Sequence, residues 1–167
     1  PSLSPAERAL VVALYDQGLR ELAHRNGLAV PVPVDLREDA GHLAVLIIGD
    51  HTARILLAKN PAGWQEALSM VDRDAAGVVI AVNGQVPDGE DLSWLWDVRF
   101  EHFDTVHVVA AGERGTDLAV RLGYAGVEHT LVHDTVRAID SCPPGHVEVI
   151  ANYTAFLQLN RILERLA

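Results

Sequence analysis

Lysine is all but missing from this chain of 167 residues: Lys59 is the only one, and twelve arginines carry every other positive side chain. Arginine is a planar fork, lysine a compact point charge on a flexible stem. A lone lysine kept where arginine is the habit marks a position that suits the compact ammonium. Positive charge as a whole is short. Thirteen basic side chains face 23 acidic ones, a net charge of −10. That balance argues against nonspecific nucleic-acid binding and against anionic membrane surfaces, both of which want basic patches. Cysteine is reduced to Cys142, so no intramolecular disulfide can form and the chain suits a reducing cytoplasm. No apolar run approaches the roughly 20 residues of a membrane span, and no signal-peptide pattern opens the chain. We expect a cytoplasmic protein with no integral membrane segment. It starts at Pro1 rather than Met, as a trimmed or excised piece of a longer protein would.

What is present supports one globular domain. Hydrophobic residues make up 49% and charged residues 22%, enough apolar surface to bury a sizeable core. Ser4-Pro5-Ala6-Glu7 reads as a capping box, and Val11, Leu14, Tyr15, Leu19 and Leu22 recur at helical spacing until Asn26-Gly27. Residues 28–41, with Pro31, Pro33 and the charged cluster from Asp35 to Asp39, read as an extended connector. We therefore divide the chain into an unassigned helix and connector over 1–41 and an α/β domain over 42–167.

That domain opens with two β-rich runs, 43–48 and 53–58, split by Gly49-Asp50-His51-Thr52, the signature of a hairpin. Apolar strands and helices then alternate. Strands are predicted at 77–82, 105–110, 130–132 and 146–151, and helices at 61–71, 92–96, 116–122, 134–139 and 153–166. Continuous apolar strands separated by helices indicate a parallel sheet covered on both faces. In such sheets, ligands bind beyond the carboxyl ends of the strands. The segments to inspect are Lys59–Gly63, 83–91, 112–115 and His133-Asp134.

The 83–91 loop and its continuation hold four acids within ten residues (Asp88, Glu90, Asp91, Asp97) and two of the three tryptophans, Trp94 and Trp96. Asp88, before Gly89 in a turn, is expected to project freely, and Asp91, two residues before Ser93, to cap the short helix. The functional alternative is a carboxylate that orients a catalytic histidine or meets a substrate ammonium. Gly112-Glu113-Arg114-Gly115 follows a strand and opens a helix, where backbone N–H groups can hold an anion. Its glycine spacing matches neither a dinucleotide fingerprint nor a P-loop. Arg121 reads as a salt-bridging helix residue, with anion contact as the alternative. His129 and His133 share no helix face, so no metal site is expected. Cys142, before Pro143-Pro144, lacks the setting of a nucleophile elbow and reads as an incidental, partly exposed thiol.

Four segments occur in a familiar order: Leu57-Ala58-Lys59-Asn60-Pro61-Ala62-Gly63-Trp64; Asp88-Gly89 with Asp91-Leu92-Ser93-Trp94-Leu95-Trp96-Asp97 and Phe100-Glu101; Val120-Arg121-Leu122-Gly123-Tyr124-Ala125-Gly126; and Asn152-Tyr153-Thr154-Ala155. Together, over roughly residues 42–160, they resemble the C-terminal domain of MurT, the Mur-ligase-like subunit of lipid II isoglutaminyl synthase. The resemblance implies a Rossmann-like three-layer, mostly parallel sheet of the Mur ligase C-terminal type, here with an N-terminal β-hairpin and an extra N-terminal helix. It implies a GatD-like glutaminase as partner, whose cysteine and histidine release ammonia. The ligase subunit uses ATP, with Mg, to activate the α-carboxyl of D-glutamate in the lipid II stem peptide. The domain is thought to lend the glutaminase an aspartate. That role falls on Asp91, which matches the Asp-x-Ser-Trp core, or on Asp88, with Asp97 third. Trp94, Trp96 and Asp97 would line the partner interface, and Lys59 and Asn60 would meet nucleotide phosphates or the acyl phosphate.

The departures matter as well. The Gly-rich ATP-binding central domain and the four-cysteine zinc motif of that family are absent, and residues 1–41 match nothing expected before the Lys59 strand. The chain reads either as an excised domain with an altered front or as a stand-alone relative. No cofactor is expected on this domain alone, and alone it cannot activate a carboxylate with ATP. Two other readings stand beside this one: a non-catalytic α/β interaction module that binds through the tryptophan–acid loop, and a small anion- or nucleotide-binding domain centred on Lys59 and Gly112–Gly115.

Overall fold

A computed structural model describes residues 43–166 apart from Pro87, His102, Asp104 and Thr105. The helix and connector expected over 1–41 lie outside these described residues. Strands β1 (Leu43–Ile48), β2 (His51–Leu57), β3 (Gly77–Ala81), β4 (Val108–Ala111), β5 (His129–Leu131) and β6 (Gly145–Ala151) form one sheet in the order β1-β2-β6-β3-β4-β5. Five strands run parallel, and β1 pairs antiparallel on the edge beside β2. The hairpin is tighter than the four-residue turn expected from sequence. His51 already pairs with Ile48, because Gly49 at φ 55 closes the turn within two residues.

Helices cover both faces, as apolar strands without alternation require. On one side lie α1 (Pro61–Ser69), a 3-10 helix (Ser93–Asp97) and α2 (Gly115–Tyr124); on the other lie α3 (Thr135–Asp140) and α4 (Tyr153–Leu166). Successive strand residues point to opposite faces, so β3 feeds Val78 and Ile80 to the first layer and Val79 and Ala81 to the second. All five β3 residues are buried. In α2, Leu118 and Leu122 are four apart and fully buried; each burial contributes roughly 1.5–3 kcal/mol. None of the described helices is long and apolar enough to cross a membrane.

Two charged residues sit within this apolar sheet. Arg54 of β2 pairs in register with Glu148 of β6, and its Nε and Nη2 donate to the two Glu148 oxygens at 2.8 and 2.6 Å. The Glu148 side chain is fully buried, and it also accepts from Asp72 N and from the His146 ring. The pair locks the β2–β6 register three residues before both strands end.

Candidate functional site

At the carboxyl end of the sheet, β3 sends its connection to the first face and β6 sends its own to the second, so the crevice of such folds falls between them. Here the protein's own amides bridge it. Asn83, just beyond β3, and Asn152, just beyond β6, are both buried. Asn83 N donates to Asn152 Oδ1 at 3.0 Å, and Asn152 Nδ2 returns a bond to Asn83 O at 2.7 Å. Asn83 also donates through Nδ2 to Gln158 of α4 and accepts from Glu113 N. Sequence reasoning gave neither asparagine a role. Their signal was polar side chains directly after all-apolar strands, where a buried amide must find partners.

Asp88 does not project freely as its turn context suggested. Its Oδ1 accepts Tyr153 N at 3.0 Å, and its Oδ2 accepts Thr154 N at 2.7 Å and the Thr154 hydroxyl. The first N–H groups of a helix lack intrahelical partners and carry the positive end of its dipole, so a carboxylate from a distant loop settles on the start of α4. Asp91 is placed differently. It is exposed, and one oxygen accepts Ser93 N at 2.8 Å, the capping contact its spacing predicts. That N–H, and then the Ser93 hydroxyl, hold the Asp91 carboxyl below the usual carboxylate value. Of the two acids, Asp91 is the one left presented to solvent as an anion.

Lys59 follows β2 and is exposed; its ammonium lies 5.7 Å from the centroid of the Tyr153 ring, within cation–π range. Lys59 and Asp88 thus reach the first turn of α4 from the strands on either side of β6. Asn60 is the N-cap of α1: its side-chain oxygen accepts Gly63 N at 2.9 Å, and Pro61 takes the first helical position. That oxygen is already committed to the helix start.

The structure separates the two tryptophans grouped by the sequence reading. Trp94 is half-buried and stacks at 5.5 Å on Trp64 of α1, whose ring is fully buried beside Phe100. The Lys59–Trp64 segment and the Asp91–Asp97 segment therefore meet in space. Trp96 points outward at 56% exposure and meets the exposed Tyr124 edge-on at 5.3 Å. Asp97 is exposed beside it. Beneath Trp96 lies Arg121, buried, donating to Leu95 O, Val98 O and Glu101 Oε1. It clamps the 3-10 helix, which is the salt-bridging role rather than the anion contact.

The 112–115 turn is not an open anion cradle. Gly112 N donates to His133 O, Glu113 N to Asn83 Oδ1, Arg114 N to Val82 O and Gly115 N to Gly112 O. All four N–H groups are occupied by the fold. His133 Nδ1 donates to Gly112 O and His129 Nδ1 to Val127 O, and among the described residues no three His, Cys, Asp or Glu side chains converge as metal ligands would. Cys142 corrects another expectation. It is buried rather than partly exposed, its Sγ lies 3.5 Å from Ala138 O, and burial pushes the thiol up to about 11.

Comparison with known proteins gives a family match. Residues 57–156 match the family model for the MurT ligase C-terminal domain. The chain is 30% identical over 127 residues to the MurT subunit of the glutamine-hydrolysing lipid II isoglutaminyl synthase of Streptococcus pneumoniae, covering 70% of this chain and 28% of that protein. It is 30% identical over 171 aligned positions to the corresponding Staphylococcus aureus subunit, covering 93% of this chain and 38% of that one. The chain thus spans about a third of the length of these relatives.

Proposed function

Because this chain belongs to the MurT ligase C-terminal family, we propose that it works as the C-terminal domain of the ligase subunit of a lipid II isoglutaminyl synthase, docking a GatD-like glutaminase and lending it Asp91. The observation that carries the reading is the contrast within one loop: Asp88 is held by three donors from α4, while Asp91 stands exposed, anionic and fixed at one oxygen. An aspartate offered in this way accepts the Nδ1–H of the partner's histidine, fixes its tautomer, and stabilises the imidazolium formed as the partner's cysteine loses its proton. Glutamine hydrolysis then depends on assembly, so ammonia is released only beside the ligase. The ammonia amidates the α-carboxyl of D-glutamate in the lipid II stem peptide, on the cytoplasmic side where that precursor is made.

ATP and Mg belong to other parts of the complete ligase in this reading. This chain offers the nucleotide no backbone cradle, since the N–H groups at 112–115 are taken. Lys59 supplies one exposed ammonium, which suits a phosphate or acyl-phosphate oxygen at the ligase cleft, and Asn60 beside it fixes the turn from β2 into α1 by capping that helix. The exposed Trp96 ring with Asp97 supplies the partner-facing surface, while half-buried Trp94 is turned onto Trp64.

The test is glutamine hydrolysis by the complete ligase subunit assembled with its glutaminase. Asp91→Asn should cut kcat by on the order of a hundredfold or more, as loss of an orienting carboxylate does in a catalytic triad, and leave the Kd of the complex within about threefold. Full hydrolysis by Asp91→Asn would overturn the assignment. The Trp96–Tyr124 pair also favours a second reading, a purely structural interaction module. Tight binding to the glutaminase with no stimulation of its activity would select that one.

A further inference from the structure

We propose that Thr154, acting through Asp88, is a positioning residue for Asp91: it sets where the loop presents the carboxylate offered to the partner's histidine. This rests on the reading that Asp91 completes a cysteine–histidine pair in trans, and it adds what holds that carboxylate in place.

Between β3 and the 3-10 helix, the described residues of 82–92 form no helix or strand. Their start is welded by the Asn83–Asn152 exchange and their end by buried Leu92 and Leu95. Among the described residues, three side-chain contacts tie the stretch between them to the body of the domain. Gln85 to Glu113 and Arg114 to Glu90 O are both exposed, where water competes for every partner. The third is Asp88 on the first turn of α4, with Thr154 itself buried. One Asp88 oxygen is held by a backbone N–H and the other by a backbone N–H and a hydroxyl, so the carboxylate can neither flip nor swing. Asp88 N and Gly89 N both donate to Gln85 O, which folds the chain back on itself at that point. From Asp88 to Asp91 the backbone spans at most roughly 10 Å, so the anchor is passed on almost directly.

The two backbone donors are present whatever residue stands at 154. The hydroxyl is the part that depends on the side chain. Thr154→Val keeps the shape and removes that donor; Thr154→Ser keeps the donor and removes a methyl group. If Asp88 only caps α4, losing the hydroxyl lowers the melting temperature and leaves catalysis by the assembled complex alone. If it positions the loop, the chemical step suffers, because displacing a catalytic group by about 1 Å costs up to a hundredfold in rate.

The experiment uses the complete ligase subunit assembled with its glutaminase, reading kcat and KM for glutamine hydrolysis and the Kd of the complex. Thr154→Val should lower kcat about tenfold or more, with KM and Kd little changed, and Thr154→Ser should restore it. In an Asp91→Asn background, Thr154→Val should cause no further loss, since a residue that acts through Asp91 has nothing left to act on. Wild-type kcat in assembled Thr154→Val, or a loss that multiplies with that of Asp91→Asn, overturns the proposal. Should Thr154→Val fail to assemble, Asp88→Asn, which keeps an acceptor for one of the two backbone N–H groups and sets an NH2 against the other, takes its place in the same cycle: a lowered kcat that does not multiply with Asp91→Asn supports the proposal, and a wild-type or multiplying one overturns it. If Asp91→Asn itself hydrolyses glutamine normally, the triad reading has failed. If Asp91→Asn is dead and Thr154→Val is not impaired, only the positioning role has.

Discussion

Replacing Arg54 with methionine should destabilise the domain more than replacing Glu148 with leucine, although each change breaks the same ion pair. The asymmetry follows from burial. The Glu148 side chain is fully buried, whereas Arg54 keeps 26% of its side chain exposed and also donates to Met70 O at 2.6 Å. Without Arg54, a carboxylate stays inside the sheet with only Asp72 N and the His146 ring for partners. Breaking a buried pair in this way costs about 3–5 kcal/mol; a partner as close as His146 puts the expected cost near the low end, about 3 kcal/mol. Without Glu148, the guanidinium retains Met70 O and some water, and the loss is that of charged hydrogen bonds, about 1.5–2 kcal/mol. The double variant, Arg54→Met with Glu148→Leu, leaves no charge behind and should return to within about 1 kcal/mol of the parent or exceed it. Urea unfolding followed by far-ultraviolet circular dichroism measures all four proteins. Equal losses for the two single variants, or a double variant that sums them, would refute the reasoning.

Three further outcomes are expected. Gly112 has φ +89, and an added Cβ would lie 2.3 Å from Val82 O and 2.7 Å from Val82 N, so Gly112→Ala should cost about 3 kcal/mol in the same unfolding assay through strain and clash together; a loss under about 1 kcal/mol would mean that the turn relaxes freely. The Cys142 thiol, raised from 9.0 to about 11 by burial, should react slowly with a disulfide reagent at pH 8 in the native protein and rapidly in denaturant. Because its folded value lies above its unfolded one, its contribution to stability is fully present below about pH 9 and is lost as pH rises from 9 through 11. Cys142→Ala should flatten that alkaline fall, and an unchanged pH profile would count against the assignment.

Much of the fold was legible because burial on two faces writes itself into composition. The run Gly77-Val78-Val79-Ile80-Ala81 has no polar position to spare, so its place in a sheet covered on both faces followed directly. The start of α1 was equally plain from Asn60-Pro61. Strand ends were less so. A strand was expected from residue 105, but β4 begins at Val108, since apolar residues alone do not say where pairing starts. Arg54 and Glu148 left a signal that went unread: one base and one acid, each lone in its apolar strand, are candidates for each other. In the site, the Asp91 cap was visible from spacing because Ser93 is two residues away. The fate of Asp88 was not, because its partners lie 65 and 66 residues further along.

The sequence by itself determined the layers, the order of strands and helices, and the short list of residues on which chemistry could turn, including the lone Lys59. These depend on periodicity, caps and composition, which act over a few residues. Only the tertiary structure decided how those residues are used. It turned Trp94 inward against Trp64 and Trp96 outward against Tyr124, buried Cys142, filled the N–H groups of the 112–115 turn, and gave Asp88 to α4 while leaving Asp91 exposed. Each is a competition for one donor, acceptor or face among groups brought together from far apart in the chain, and only the folded arrangement of the sheet settles who competes.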